Sequence, residues 1–192
     1  MPPKAKYTKE EIVAAAIDVI RADGIGSLTA RSLGAKLGSS ARPIFTVFQS
    51  MEEVRRAAIR AARTLYGKYI EAGLSQTPAF KGVGLQYIRF AREEPQLFQL
   101  LFLLEQEQQP DLSAVLNLID DHYKEIRFSI QETYQLNQTE AGKLYRHLWI
   151  YTHGIAVLCV AKVCAFREAE IDTMLTEIFL SILQQIKTGG KA

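Results

Sequence analysis

Cysteine is scarce in this sequence: of 192 residues only Cys159 and Cys164 carry a thiol. Five residues apart on an expected helix, they point to different sides and are too far around to bridge, so a disulfide framework is excluded. Their apolar surroundings predict buried, reduced thiols, the pattern of a cytoplasmic protein. Histidine is almost as rare, and His147 and His153 are not spaced to share a helix face, while His122 falls on another helix. No carboxylate completes a ligand motif with them, so no metal site is expected. A phosphate-cradling glycine loop is missing too; Gly82-Val-Gly84 is an isolated fragment that reads as an irregular helix start. With the thiols in apolar settings that raise their pKa, and with no catalytic motif, neither an enzyme nor a cofactor is expected. Long apolar runs are also absent. Ile155 to Ala161, with Leu148 to Tyr151 before it, is too short to span a bilayer, and the basic start Met1 to Lys6 lacks the apolar core of a signal peptide. No membrane partner is expected.

What is present is apolar and helical. Hydrophobic residues make up 48% of the chain, which excludes general disorder. The formal charge of +2 is small, but it is unevenly spread. Through Arg63 there are 11 Lys and Arg against 6 Asp and Glu, and beyond it 12 against 15. A basic front on a faintly acidic remainder suits a polyanion-binding head on a different kind of body. Strand alternation, internal repeats and low-complexity stretches are not found.

The helices announce themselves by caps and stripes. Thr8 and Glu11 form a capping box ahead of Ile12, Ala15, Ala16, Val19 and Ile20, with Gly24 as the stop. Thr29 starts a short second helix carrying Leu33 and Leu37, closed by Gly38. Ser40 is expected to cap a third, over Ala41 to Val47, with Pro43 in its first turn and Ile44, Phe45 and Phe48 inward. Ser50 and Glu53 open a long fourth helix towards Gly73, followed by a linker to Pro78. Further helices are expected around Val83 to Ala91, at Leu97 to Leu104, from Pro110 or Asp111 through His122 to Ile130, from Thr139 to about Phe166, and over Ile171 to Ile186. That gives about nine helices, three in the head and six behind.

Three short helices with a glycine turn between the second and third describe a helix-turn-helix. The third would enter the major groove and present Ser39, Ser40, Ala41, Arg42 and Thr46, with Arg42 able to take O6 and N7 of guanine together. Lys4, Lys6 and Lys9 would neutralise phosphates, the helix N-termini at Thr8, Thr29 and Ser40 would bring backbone N–H groups to phosphate oxygens, and Arg31 is a further DNA-binding candidate. The ordered string Thr8-Lys-Glu-Glu-Ile12, Ala15-Ala16, Gly24, Leu28-Thr29-Ala30-Arg31, Leu33, Leu37-Gly38, Ser40, Phe45, Phe48 and Ser50-Met-Glu-Glu-Val54 resembles the N-terminal domain of the TetR family of bacterial transcription regulators. Phe45 and Met51 stand where that family usually has a tyrosine and often a lysine meeting phosphate; neither can do so, and neither is carried over as a DNA ligand. Phe90-Ala91 with Glu94-Pro95, and Trp149 with His153-Gly154, resemble one subgroup's body.

The resemblance implies an all-α protein with a helix-turn-helix DNA-binding domain at 1–50 and a six-helix ligand-binding and dimerisation domain at 51–192. It implies a repressor that binds a palindromic operator as a homodimer and is released by a small-molecule effector. Tyr66, Tyr87, Phe90, Phe102, His122, Tyr123, Trp149 and His153 are the candidate effector contacts. The last two helices, through Leu158, Leu175, Ile178, Phe179 and Ile182, would pair with a second copy; the wide apolar girth of the Thr139 helix points the same way. The alternative is a dimeric helical interaction module that has lost specific operator binding.

Overall fold

The protein is described by a computed structural model over residues 6–104, 111 and 122–189. Among these residues every regular element is helical, and eight are α-helices. The chain forms two compact units, one of Met1–Leu65 with Glu94–Glu105 and the other of Tyr66–Glu93 with Gln106–Ala192.

In the first unit α1 (Lys9–Asp23) begins in a complete capping box, Thr8 Oγ1 accepting from Glu11 N–H and Glu11 returning to Thr8 N–H. Ile12, Ala16, Ile17, Val19 and Ile20 form its buried stripe. Helix α2 (Ala30–Lys36) starts in a second such box, here Thr29 with Ser32. It stops in a Schellman pair, Ser39 N–H donating to Gly34 O at 2.9 Å and Gly38 N–H to Ala35 O at 3.0 Å. Gly38 carries the left-handed φ of +62° this requires. A Cβ on Gly34 would lie 3.0 Å from the Ser40 carbonyl carbon and the Ala41 nitrogen, so the turn folds directly against that glycine.

The third head helix is not α-helical, which corrects the expectation for Ala41 to Val47. The segment is a turn ending in a 3₁₀-helix at Ile44–Thr46, and no side chain, Ser40 included, caps it. Its bonds run i to i+3, from Ala41–Ile44 through Ile44–Val47. The reason is local. Pro43 supplies no N–H, β-branched Ile44, Thr46 and Val47 disfavour the α form, and the Thr46 hydroxyl donates to Pro43 O at 2.7 Å. Ile44 and Phe48 are nonetheless fully buried, pinning the segment to the head.

Helix α3 (Met51–Leu74) runs unbroken through both units. Helix α4 (Ala79–Glu93) follows, with Gly82 and Gly84 in its interior and not at an irregular start. Helix α5 (Pro95–Phe102) opens on proline at its first position, and Leu103 and Leu104 lie exposed beyond its end. Then come α6 (Tyr123–Tyr134), α7 (Gln138–Val160) and α8 (Glu168–Lys187). The start expected at Pro110 or Asp111 lies outside the described residues, apart from Asp111 itself.

Two bounds of α7 differ from expectation. Asn137, not Thr139, is the cap, its Oδ1 accepting from Thr139 and Glu140 N–H. The helix ends at Val160, well before Phe166, because Lys162 turns left-handed at φ 55°. Val163 N–H then reaches Leu158 O at 3.0 Å, a Schellman stop without glycine. Cys164 is therefore exposed and off the helix, and Cys159 only half-buried, instead of both being core thiols. Among the described residues no helix is long and apolar enough to cross a membrane.

Candidate functional site

Two places gather the residues singled out in the sequence. The first is a surface of the head. Lys6 Nζ lies 3.4 Å from Ser39 Oγ, while Tyr7 donates its hydroxyl to Leu37 O at 2.6 Å, so the chain entering α1 is tied to the end of α2. Ser40, Arg42, Phe45 and Thr46 are exposed, and Ser39 and Ala41 half-buried. Phe45 N–H donates to Arg42 O at 3.2 Å, so the two residues are three apart across one tight turn. Arg42 and Arg31 form no ion pair among the described residues, so both guanidinium groups keep their donors for a partner. Thr8 and Thr29 are exposed cap residues; Lys4 lies outside the described residues.

The second place is a cavity in the body, partly continuous with solvent. Helices α3, α4, α6, α7 and α8 supply its walls. Of the eight candidate effector contacts, Tyr66, Tyr87 and Trp149 line it directly. His153 stands behind them: its Nδ1 is 2.8 Å from the Tyr87 hydroxyl and its ring stacks on Trp149 at 4.9 Å and 15°. Burial holds the His153 imidazole below its ordinary pKa, so the ring is neutral near pH 7.

The remaining candidates are elsewhere. Phe90 is fully buried one layer back, edge-on to Tyr66 and to Tyr69 at 5.3 Å each. Tyr123 is separated from the cavity by Tyr145, 5.1 Å away ring to ring. His122 lies beside Glu71 at 3.7 Å. Phe102 belongs to the first unit, against Phe98 at 5.0 Å. In exchange the cavity recruits residues the sequence did not mark: Phe80, Tyr134, Tyr145, Thr152 and Gly84. Aromatic content was the only available signal for the first three, Gly84 stood out only within the Gly82-Val-Gly84 fragment, and nothing marked Thr152.

Two residues assigned to pairing with another copy, Leu175 and Phe179, also line the cavity. Leu175 is buried in its own protomer, and Phe179 packs on Tyr134 at 4.9 Å. Ile178 and Ile182 are half-buried and Leu158 is exposed. Burial raises the pKa of the Tyr134 hydroxyl and of the Cys159 thiol, keeping both protonated. Among the described residues no three His, Cys, Asp or Glu side chains gather as metal ligands would.

Most of this cavity's wall falls inside one matched segment: the family profile of the tetracyclin repressor-like C-terminal domain covers residues 80–181, just over half the chain. The chain belongs to the TetR family of transcription regulators. No curated protein matches it. The TetR profile begins within α4 and ends within α8, so it takes in the Trp149–His153–Tyr87 group. It stops short of the head, whose reading rests on the sequence string and geometry described above.

Proposed function

We propose that the protein is a ligand-responsive repressor that binds a palindromic operator as a homodimer and releases it when a small molecule enters the body cavity. The observation that carries this reading is the family match over a body that contains a ring-lined cavity. In the head, exposed Arg42 is the group for guanine, and Phe45, 46% exposed beside it, offers an apolar face to a thymine methyl. Thr46 spends its hydroxyl proton on Pro43 O and so meets bases as an acceptor or through its methyl. Lys6 adds a sequence-independent phosphate contact. Ile150, Leu158 and Leu180, all exposed on α7 and α8, support self-association through these two helices. The effector acts only through its different affinity for the DNA-competent and incompetent states.

The test is fluorescence anisotropy of the whole protein against DNA fragments surrounding its own coding region, at two salt concentrations. A regulator binds one fragment far more tightly than the rest, and more weakly at high salt. Equal affinity for every fragment, or none at low salt, leaves the alternative, a dimeric helical interaction module; the phosphate contacts that Phe45 and Met51 cannot make are what favours it. For pairing, Ile178→Glu is expected to give monomers by light scattering. Dimers that persist move the interface away from α8.

A further inference from the structure

We propose that the body cavity takes an uncharged ring compound bearing one or two oxygens, and that Gly84 keeps the room for it. This deepens the effector-site reading above and rests on it.

Charge comes first. No carboxylate lines the cavity, and its single charged liner, Lys81, is already held by Asp172 at 2.6 Å. A cation would be desolvated with no carboxylate in the wall and Lys81 to repel it, a cost the ring faces offset only in part, and an anion would have to strip Lys81 from Asp172. His153 adds no charge, because burial keeps it neutral.

The polar groups point the same way. Thr152 is the one buried polar residue of the described core, 6% exposed, and it lines the cavity. Its hydroxyl has no hydrogen-bond partner among the described residues, and neither do the Tyr134 hydroxyl or the Trp149 indole N–H. Two hydroxyls and one N–H on liners of a space otherwise walled by rings and aliphatic side chains suit an oxygen on a ring: a phenol, ketone or similar group.

Gly84 explains why there is room. Glycine inside a helix is unfavourable unless something needs its missing side chain. Nearby, Gly73 and Gly82 have such a reason: a Cβ on Gly73 would come within 2.7 Å of Val83 backbone, and one on Gly82 would collide with Gly73 O. At Gly84 nothing is so close. An added Cβ would meet only Leu175 Cδ1 at 3.5 Å and Thr152 Oγ1 at 3.8 Å, ordinary contacts, both with cavity residues. The absent side chain clears space beside the Thr152 hydroxyl and is not needed for helix crossing.

Trp149 is the only tryptophan in the chain and sits in the wall, so its fluorescence reports the site directly. The whole protein is titrated with 2-naphthol, 2-naphthoate and N-methylquinolinium, each checked by calorimetry. Saturable quenching by 2-naphthol is expected, at least about tenfold tighter than by either ion. Gly84→Leu is expected to lose at least about tenfold in naphthol affinity with an unchanged circular dichroism spectrum. If Gly84→Leu does not fold, Gly84→Ala decides, with weaker naphthol binding and a raised Tm. Either ion binding as tightly as naphthol, no saturable naphthol quenching, or folded Gly84 variants that bind naphthol as the parent does would overturn the proposal. DNA affinity of the free protein is measured separately. A protein that finds its operator but not naphthol sinks this inference alone, and one that binds naphthol but no operator sinks only the regulator reading.

Discussion

The head and the body of this protein are built on opposite principles. The head is a structure of backbone contacts: two capping boxes, a Schellman stop, and a turn lying within 3.0 Å of where a Gly34 Cβ would be. Outward Arg42 contributes little to holding it together, and Thr46 only the bond to Pro43 O within its own turn. The body is a structure of rings. Tyr66, Phe90 and Tyr69 pack edge to edge, Tyr87 bonds His153, and the space they leave is shaped by side chains. The surface proposed to meet duplex DNA is thus fixed by the main chain, while the cavity proposed to take a small molecule is fixed by parts that substitution can retune.

That contrast can be broken by substitution. The largest effect is expected for Phe90→Ala, which removes a fully buried ring from the centre of the body cluster. It should cost about 3–5 kcal/mol in urea unfolding; a cost below about 1 kcal/mol would mean the rings do not organise the body. Next, Gly34→Val forces a branched side chain onto the Ser40–Ala41 backbone and should cost about 1–3 kcal/mol while abolishing operator binding. Naphthol affinity of the same variant should stay at the parent value; a parallel loss would show that the turn's effect is not confined to the head. Arg42→Ala leaves stability alone and should lose about 1–3 kcal/mol of operator binding with relaxed preference at one base position. Unchanged preference would remove Arg42 from the readout.

The smallest effect is a pH dependence. His153 has a folded pKa below its ordinary 6.5, so as pH falls below 6.5 the unfolded chain takes up a proton first. Its contribution to stability is complete above about pH 6.5 and declines below it, down to the folded value. Urea midpoints at pH 7.5 and 5.5 should differ less in His153→Gln than in the parent; an equal difference would place the dependence elsewhere.

How much of this could be read in advance follows from where the information sits. Helices α1 and α2 were legible because Thr8, Glu11, Thr29 and Gly38 write their bounds within a few residues. The 3₁₀ segment was not, since the same inward residues, Ile44 and Phe48, serve an α-helix or a tighter turn, and the choice fell to Pro43 and the Thr46 hydroxyl. The end of α7 was missed because Lys162 takes the left-handed position where a glycine would have signalled the stop. In the cavity, Tyr66, Tyr87 and Trp149 were found by residue type, but inward and outward aromatics look alike in sequence. What separates Tyr145 in the wall from Tyr123 behind it is helix orientation, which is tertiary. Gly84 drew notice only within the Gly82-Val-Gly84 fragment, and its meaning was hidden because that of an absent side chain depends on Thr152 and Leu175, far along the chain.

The path of the chain through the two units restricts how such a protein can be recombined. Helix α3 passes from one unit to the other without interruption, and α5 returns to the first unit, where Glu94 grips Arg21 with two bonds of 2.8 and 2.6 Å. A graft with one junction would leave that clasp behind on the donor. Exchanging heads between relatives therefore takes three junctions, near residues 65, 93 and 105. A swap at one junction alone would deprive the first unit of α5, one of its own helices.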